Sequence, residues 1–123
     1  MIRLYLMKNQ KGHVQKHPAI HSINSSQLKE IVSRNEDNPA VQFVDVRTSL
    51  EYGRGYIQPA DNIDVMSNSF TEQFSAYDKD KPLYIYCRSG TRSGKAASKL
   101  AQEGFTEIYD LEGGILQWNK SNR

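Results

Sequence analysis

Two short runs, Val41-Gln42-Phe43-Val44-Asp45-Val46 and Leu83-Tyr84-Ile85-Tyr86, consist mostly of β-branched and aromatic residues. Each passes into a polar turn and then into a segment of helical character. Runs of this kind read as buried strands. Strands alternating with helices along a whole chain predict an α/β fold, with a parallel sheet covered on both faces. In open sheets of that type the working crevice lies beyond the carboxyl ends of the strands. Cys87 follows the run 83–86 directly, so the chain delivers it to that edge.

The remaining elements fit between these runs. Asn24 can cap a helix to which Gln27 reaches back, and Leu28, Ile31 and Val32 continue it as an apolar stripe until Asn38-Pro39. A short helix or turn is predicted over 49–54, a loop over 55–60 and a brief strand over 62–65. Phe70, Phe74 and Tyr77 share one face of a predicted helix over 70–77. Lys81-Pro82 breaks the chain before the second buried run. A loop over 87–92 then leads to a helix with Ala96, Ala97, Leu100 and Ala101 inward, which Gly104 stops. Residues 107–111 form a last strand. Gly113-Gly114 makes a tight turn into a final helix bearing Ile115, Leu116 and Trp118, with Trp118 read as packing.

At 123 residues the chain is one domain's worth of polypeptide. Its 37% hydrophobic and 24% charged residues exclude a disordered chain. No apolar run approaches the roughly 18 residues of a membrane span, and the opening seven residues are too short for a secretory signal. The expected location is the cytoplasm, or the periplasm if a leader precedes the chain in the cell. Residues 1–29 carry five basic residues and no acid, against 11 basic and 14 acidic residues in the rest. The arm has no dense Lys/Arg cluster, so it reads as a solvated, poorly ordered terminus rather than a nucleic-acid contact. His13, His17 and His21 are spaced by four, but Pro18 interrupts any helix there. No carboxylate or cysteine joins them, so no metal site is expected.

Cys87 is the only cysteine, which excludes an internal disulfide, a Cys-x-x-Cys redox pair and a zinc knuckle. It opens the segment Cys87-Arg88-Ser89-Gly90-Thr91-Arg92-Ser93, between a strand and a helix start. A thiol has an ordinary pKa near 8.5, which falls to ~3.5–7.5 beside cations or at a helix N-terminus. Arg88 and Arg92 supply the cations, and the helix beginning near 91–93 supplies unpaired amides and its positive end. Gly90 allows a turn in which successive N–H groups converge on the sulfur. The same cradle would hold the outer sulfur of a persulfide. A buried structural cysteine is the alternative, but such residues lie among apolar neighbours rather than at the head of an arginine-bearing loop.

The segment 86–93 resembles the active-site loop of rhodanese-like sulfurtransferases. Val44-Asp45-Val46-Arg47, then Glu51-Tyr52 with Gly55, Ile57, Ala60 and Asn62, are similar to the family's upstream signature. Leu111-Glu112-Gly113-Gly114 with Trp118 resembles its C-terminal one. The resemblance implies a three-layer fold over 20–123, its central, mostly parallel sheet of about five strands flanked by helices, with 1–19 as the basic arm. It further implies that the Cys87 thiolate takes a sulfane sulfur from a donor such as thiosulfate and passes it to a thiol or cyanide. Such a protein needs no cofactor. Its partners would be a small sulfur donor and a thiol acceptor, which a protein can provide, with neither nucleic acid nor membrane, and the chain would act as a monomer. Two positions depart from the family pattern: Tyr56 stands where a histidine is usual, and Gln58-Pro59 replaces an x-Gly turn. Both bear on substrate preference.

Loop length separates related chemistries. Cysteine phosphatases need Cys-x5-Arg, whereas the sixth residue after Cys87 is Ser93 and the arginine comes one place earlier. Phosphatase or arsenate reductase activity is thereby disfavoured, and the lack of a second cysteine disfavours a self-resolving peroxide cycle. A non-catalytic rhodanese-like binding or sensing module remains an alternative. Within the site, Arg92 is expected to point inward, and both arginines can bind the sulfonate of thiosulfate. Arg88 reads equally as a solvated rim charge. Asp45, Arg47 and Glu51 are expected to be structural, with an Arg47–Glu51 ion pair pinning the loop after the strand and Asp45 ordering the same crossover.

Overall fold

The computed structural model describes residues 17–122. Five strands form one all-parallel sheet in the order β1-β5-β4-β2-β3. They are β1 (Ile20–Ile23), β2 (Gln42–Asp45), β3 (Asp61–Asn62), β4 (Leu83–Tyr86) and β5 (Ile108–Leu111). The helices are α1 (Ser25–Arg34), α2 (Ser49–Gly53), α3 (Thr91–Gln102) and α4 (Gly114–Ser121).

The twofold repeat of β4 sorts its side chains to opposite faces. Leu83, Ile85 and Cys87 join a core with Ala96, Ala97 and Leu100 of α3 and the rings of Phe70, Phe74 and Phe105. Tyr86 joins the other core, with Leu28 of α1, Ile115 of α4, and Ile57 and Ala60 from the loop before β3. The chain leaves β4 toward β5 on one side and leaves β2 toward β3 on the other. The carboxyl ends of β2 and β4, which pair as Asp45 with Tyr86, are therefore the switch point of the sheet, where such folds open a crevice.

Most elements fall where the sequence places them, including the Asn24 capping box, which forms with both of its bonds. Four differ. Helix α1 ends at Arg34, short of Asn38-Pro39, because the Asn35 side-chain amide donates to Ile31 O at 2.8 Å and closes its last turn. The strand expected over 62–65 is only Asp61–Asn62; beyond it, Ile63 and Val65 N–H donate to Asp45 O and Val46 O as the chain turns away. The helix expected over 70–77 is a single 3-10 turn, Glu72–Phe74. There the hydroxyls of Ser67 and Ser69 take the Gln73 side chain, and Ser67 also takes a backbone N–H, competing with regular helix. Edge-to-face aromatic contacts, Phe70 to Phe74 at 5.1 Å and Phe74 to Phe105 at 5.9 Å, hold the segment instead. Strand β1 has no counterpart in the sequence reading, since His21 and Ser22 occupy its middle and only pairing with β5 makes it a strand.

Ala19 is buried, and its carbonyl accepts from Ile108 N–H at 2.7 Å. Of the poorly ordered arm expected over 1–19, residues 1–16 lie outside the described residues, as does His13 of the histidine set. His17 Nδ1 accepts from Ala19 N–H, and His21 stacks on Tyr109 at 5.2 Å. Among the described residues no helix is long and apolar enough to cross a membrane.

Candidate active site

Cys87 continues the alternation of β4 one residue past its end, so its side chain turns toward α3 and becomes almost wholly buried, at 1% exposure. Gly90, at φ +115°, turns the loop back on itself, and its N–H donates to Cys87 Sγ at 3.0 Å. Helix α3 starts one residue later. Its first intrahelical bond runs from Gly94 N–H to Gly90 O at 3.1 Å, so the N–H groups of 91–93 carry the positive end of the helix at this loop. The Ser93 hydroxyl is buried and donates to Gly90 O at 3.2 Å. Ser89 and Thr91 face solvent. Of the successive N–H groups expected to converge on the sulfur, only that of Gly90 does so among the described residues, and the thiol is covered.

A second element closes over the loop from below. At the start of α4, Ile115 N–H donates to Cys87 O at 2.9 Å and Leu116 N–H to Arg88 O at 3.1 Å. This approach requires glycine at position 114, where φ is +58° and an added Cβ would lie 2.4 Å from Arg88 O. The Gly113-Gly114 pair, read from sequence as a tight turn, is therefore also the clamp on the cysteine loop. Two adjacent glycines before a helix are the signal for such a close approach, but sequence does not name the segment approached.

The ion pairs differ from those expected. Arg47 pairs not with Glu51 but with Asp45, which is fully buried and accepts the Arg47 backbone N–H at 2.9 Å and its Nη2 at 2.6 Å. The same guanidinium donates to Gly55 O at 2.7 Å, tying the loop after α2 to the end of β2. Burial works against the Arg47 charge, but its bonds and charge attraction to Asp45 outweigh this and hold its pKa above the ordinary value. The sequence separation of two explains the choice, because Arg47 folds back over its own strand end before it can reach α2.

Glu51 is free for a distant partner. Its two oxygens accept Arg92 Nη1 at 2.7 Å and Nη2 at 2.8 Å, joining α2 to the first turn of α3. The carboxylate also accepts Thr48 N–H and completes a capping box on α2. The Arg92 bond, against partial burial and with help from Thr48, lowers the Glu51 pKa from 4.5 to about 2. A carboxyl whose folded pKa is depressed stabilises the fold above its unfolded pKa, and that stability is lost as pH falls through the folded one. We therefore expect Glu51→Gln, which keeps the capping box, to cost about 1–3 kcal/mol at neutral pH. Melting curves of both proteins should converge as pH falls from 4.5 to about 2; a gap unchanged across that window would contradict this role.

With Arg92 committed to Glu51, the inward arginine expected from sequence is not the one presented to a ligand. Beside the loop lies an open cleft of about 360 Å³ lined by Arg47, Glu51, Arg54, Tyr56, Arg88 and Leu116, among others. Arg54 and Arg88 have no ion-pair partner among the described residues. Tyr56 stacks on Tyr52 at 4.0 Å between ring centres and faces the cleft, so the departure from the histidine pattern sits at the site itself. The Gln58–Pro59 peptide, the other departure, is cis. Sequence reasoning did not single out Arg54, just past α2, or Asn119 of α4, and named Leu116 only as part of the final helix; all three reach this cleft. No cluster of potential metal ligands occurs among the described residues.

Comparison with known proteins agrees with this architecture. Residues 27–121 match the family described as "Rhodanese-like domain". The structure resembles a rhodanese-like domain protein from Staphylococcus aureus with a TM-score of 0.67 and 34% identity, covering 79% of this chain and 89% of that one. It also resembles a rhodanese-related protein from Thermoplasma volcanium, with a TM-score of 0.65 and 31% identity over 82% of this chain and 92% of that one. Among curated proteins it is 35% identical over 100 residues to a tRNA uridine(34) hydroxylase of Sodalis glossinidius, covering 76% of this chain but 28% of that protein. The chain thus spans under a third of the length of the curated relatives it matches. The chain belongs to the rhodanese-like domain family.

Proposed function

We propose that Cys87 carries a sulfane sulfur between a small anionic donor and a thiol acceptor. The observation that supports this most is the placing of Sγ against Gly90 N–H, 3.0 Å away, at the positive end of α3. In the first step the Cys87 thiolate attacks the outer sulfur of thiosulfate. The S–S bond of the donor breaks, sulfite leaves with the bonding electron pair, and Cys87 holds a persulfide anion. In the second step an acceptor thiolate attacks the outer sulfur and the Cys87 thiolate is regenerated. No oxidant is consumed, and covalent catalysis of this kind gives ping-pong kinetics. Because Cys87 is covered, a donor reaches Sγ only as the 88–92 loop yields.

The two arginines divide the work. Arg88, at the cleft and without an ion-pair partner among the described residues, meets the sulfonate, while Arg92 is held by Glu51 and fixes the start of α3. Arg88→Ala is expected to raise the KM for thiosulfate about tenfold, the loss of one charge-assisted contact, with little change in melting temperature. Arg92→Ala is expected to lower the melting temperature as well. Steady-state thiosulfate:cyanide kinetics with thermal melts of both variants check this, and an unchanged KM in Arg88→Ala would remove Arg88 from donor binding.

The similarity to proteins named tRNA uridine(34) hydroxylases favours a second reading, in which Cys87 serves the hydroxylation of a tRNA uridine by an external two-electron oxidant such as dioxygen with a reductant. Cys87-dependent hydroxylation of tRNA by a protein that does not turn over thiosulfate would select that reading.

A further inference from the structure

We infer that the carboxyl edge of the sheet is a docking surface for a protein that presents its reacting thiol on an acidic, apolar segment. The inference deepens the sulfur-carrier reading by naming the class of acceptor. The large hydrophobic residues that are exposed among the described residues are Leu50, Tyr56, Met66 and Leu116, and all four lie at this one edge. Leu50 is in α2 beside Glu51. Tyr56 and Leu116 line the cleft. Met66 follows Val65, whose N–H bonds to Val46 O just past β2. Leu50 is 65% exposed and Met66 72%. The opposite edge of the sheet is polar: its turns carry Asn35, Glu36, Asp37, Asp78, Lys79 and Asp80.

An apolar patch confined to the end that holds a nucleophile marks an interaction site. Its composition, Tyr, Met and Arg with aliphatic neighbours, is that of protein interfaces. A small donor fits the cleft but cannot cover Leu50 or Met66, which lie outside its lining. The charges then select the kind of protein. Arg47 and Arg92 are neutralised within the site by Asp45 and Glu51, which leaves Arg54 and Arg88 beside the cleft without an ion-pair partner among the described residues. Two such cations match a pair of carboxylates flanking a cysteine. They are too few to follow a phosphodiester backbone, where affinity grows with each neutralised phosphate.

The experiment measures binding of labelled peptides by fluorescence anisotropy. The probe is a peptide with leucines and glutamates around a central serine that replaces cysteine, compared with its lysine counterpart and with a single-stranded RNA of equal length. The acidic peptide is expected to bind at least about tenfold more tightly than the other two, and the double substitution Leu50→Ser/Met66→Ser to weaken it about tenfold or more. In that variant, transfer of sulfur to a small thiol should stay at the wild-type rate. Equal binding of both peptides, tighter binding of RNA, or no loss in the double variant would overturn the inference. Binding does not depend on the chemistry, whereas loading of wild-type Cys87 by thiosulfate does, so failure of the docking surface and failure of the carrier reading give separate signatures.

Discussion

Serine at position 87 is expected to abolish sulfur transfer, by at least about 10³-fold, while leaving the fold in place. The hydroxyl is a poor nucleophile at neutral pH and forms no persulfide, so neither half of the cycle survives. Structurally the change is small. Gly90 N–H, now 3.0 Å from Sγ, can donate to the serine oxygen, so the buried hydroxyl is not left without a partner. The loss of a larger, more polarizable atom from the core beside Ile85 and Ala97 should cost only about 1 kcal/mol. A melting temperature close to wild type together with absent turnover is the expected pair of results. Retained turnover would move the chemistry away from Cys87.

Gly114→Ala should have the opposite profile, with a large loss of stability and an indirect loss of activity. The added Cβ would sit 2.4 Å from Arg88 O and 2.5 Å from Cys87 O, both backbone atoms held in place by the N–H groups of Ile115 and Leu116. Neither can step aside without breaking the clamp. Alanine also resists the left-handed conformation at φ +58°, at about 1–2 kcal/mol, and the steric insertion adds about 1–3 kcal/mol. At a few degrees per kcal/mol, the melting temperature should fall by roughly 10 °C. Persulfide loading should fall with it even where the protein remains folded, because the displaced carbonyls belong to the cysteine loop. Gly53→Ala is the control: its Cβ would meet nothing within 4 Å, and helix α2 should tolerate it. Similar melting curves for the two variants would show that the clamp is unimportant.

The parts of this fold legible in the sequence are those determined by local pattern. The buried runs of β2 and β4, the Asn24 cap, the inner stripe of α3 and the stop at Gly104 each follow from residues within one turn or one strand. The location of Cys87 at the carboxyl edge also follows from local pattern, because it directly succeeds the last residue of β4. The parts not legible were decided by pairing across the chain. Glu51 meets Arg92 at a separation of 41 residues, and no local rule prefers that partner over Arg47. Residues 20–23 become a strand only because β5 offers an edge. Phe70, Phe74 and Tyr77 have helical spacing, yet serine hydroxyls at 67 and 69 and the distant ring of Phe105 hold them in turns. The clamp on the cysteine loop depends on the same kind of contact, since Ile115 and Leu116 of α4 reach back to carbonyls 28 residues earlier in the chain.

The carrier role of Cys87 is tested most directly by intact mass. Wild-type protein and Cys87→Ser are each incubated with thiosulfate, desalted, weighed, and weighed again after cyanide. The wild type should gain one sulfur atom that cyanide removes as thiocyanate, and the serine variant should gain none. An unchanged mass in folded, reduced wild-type protein would contradict sulfur carriage by this cysteine.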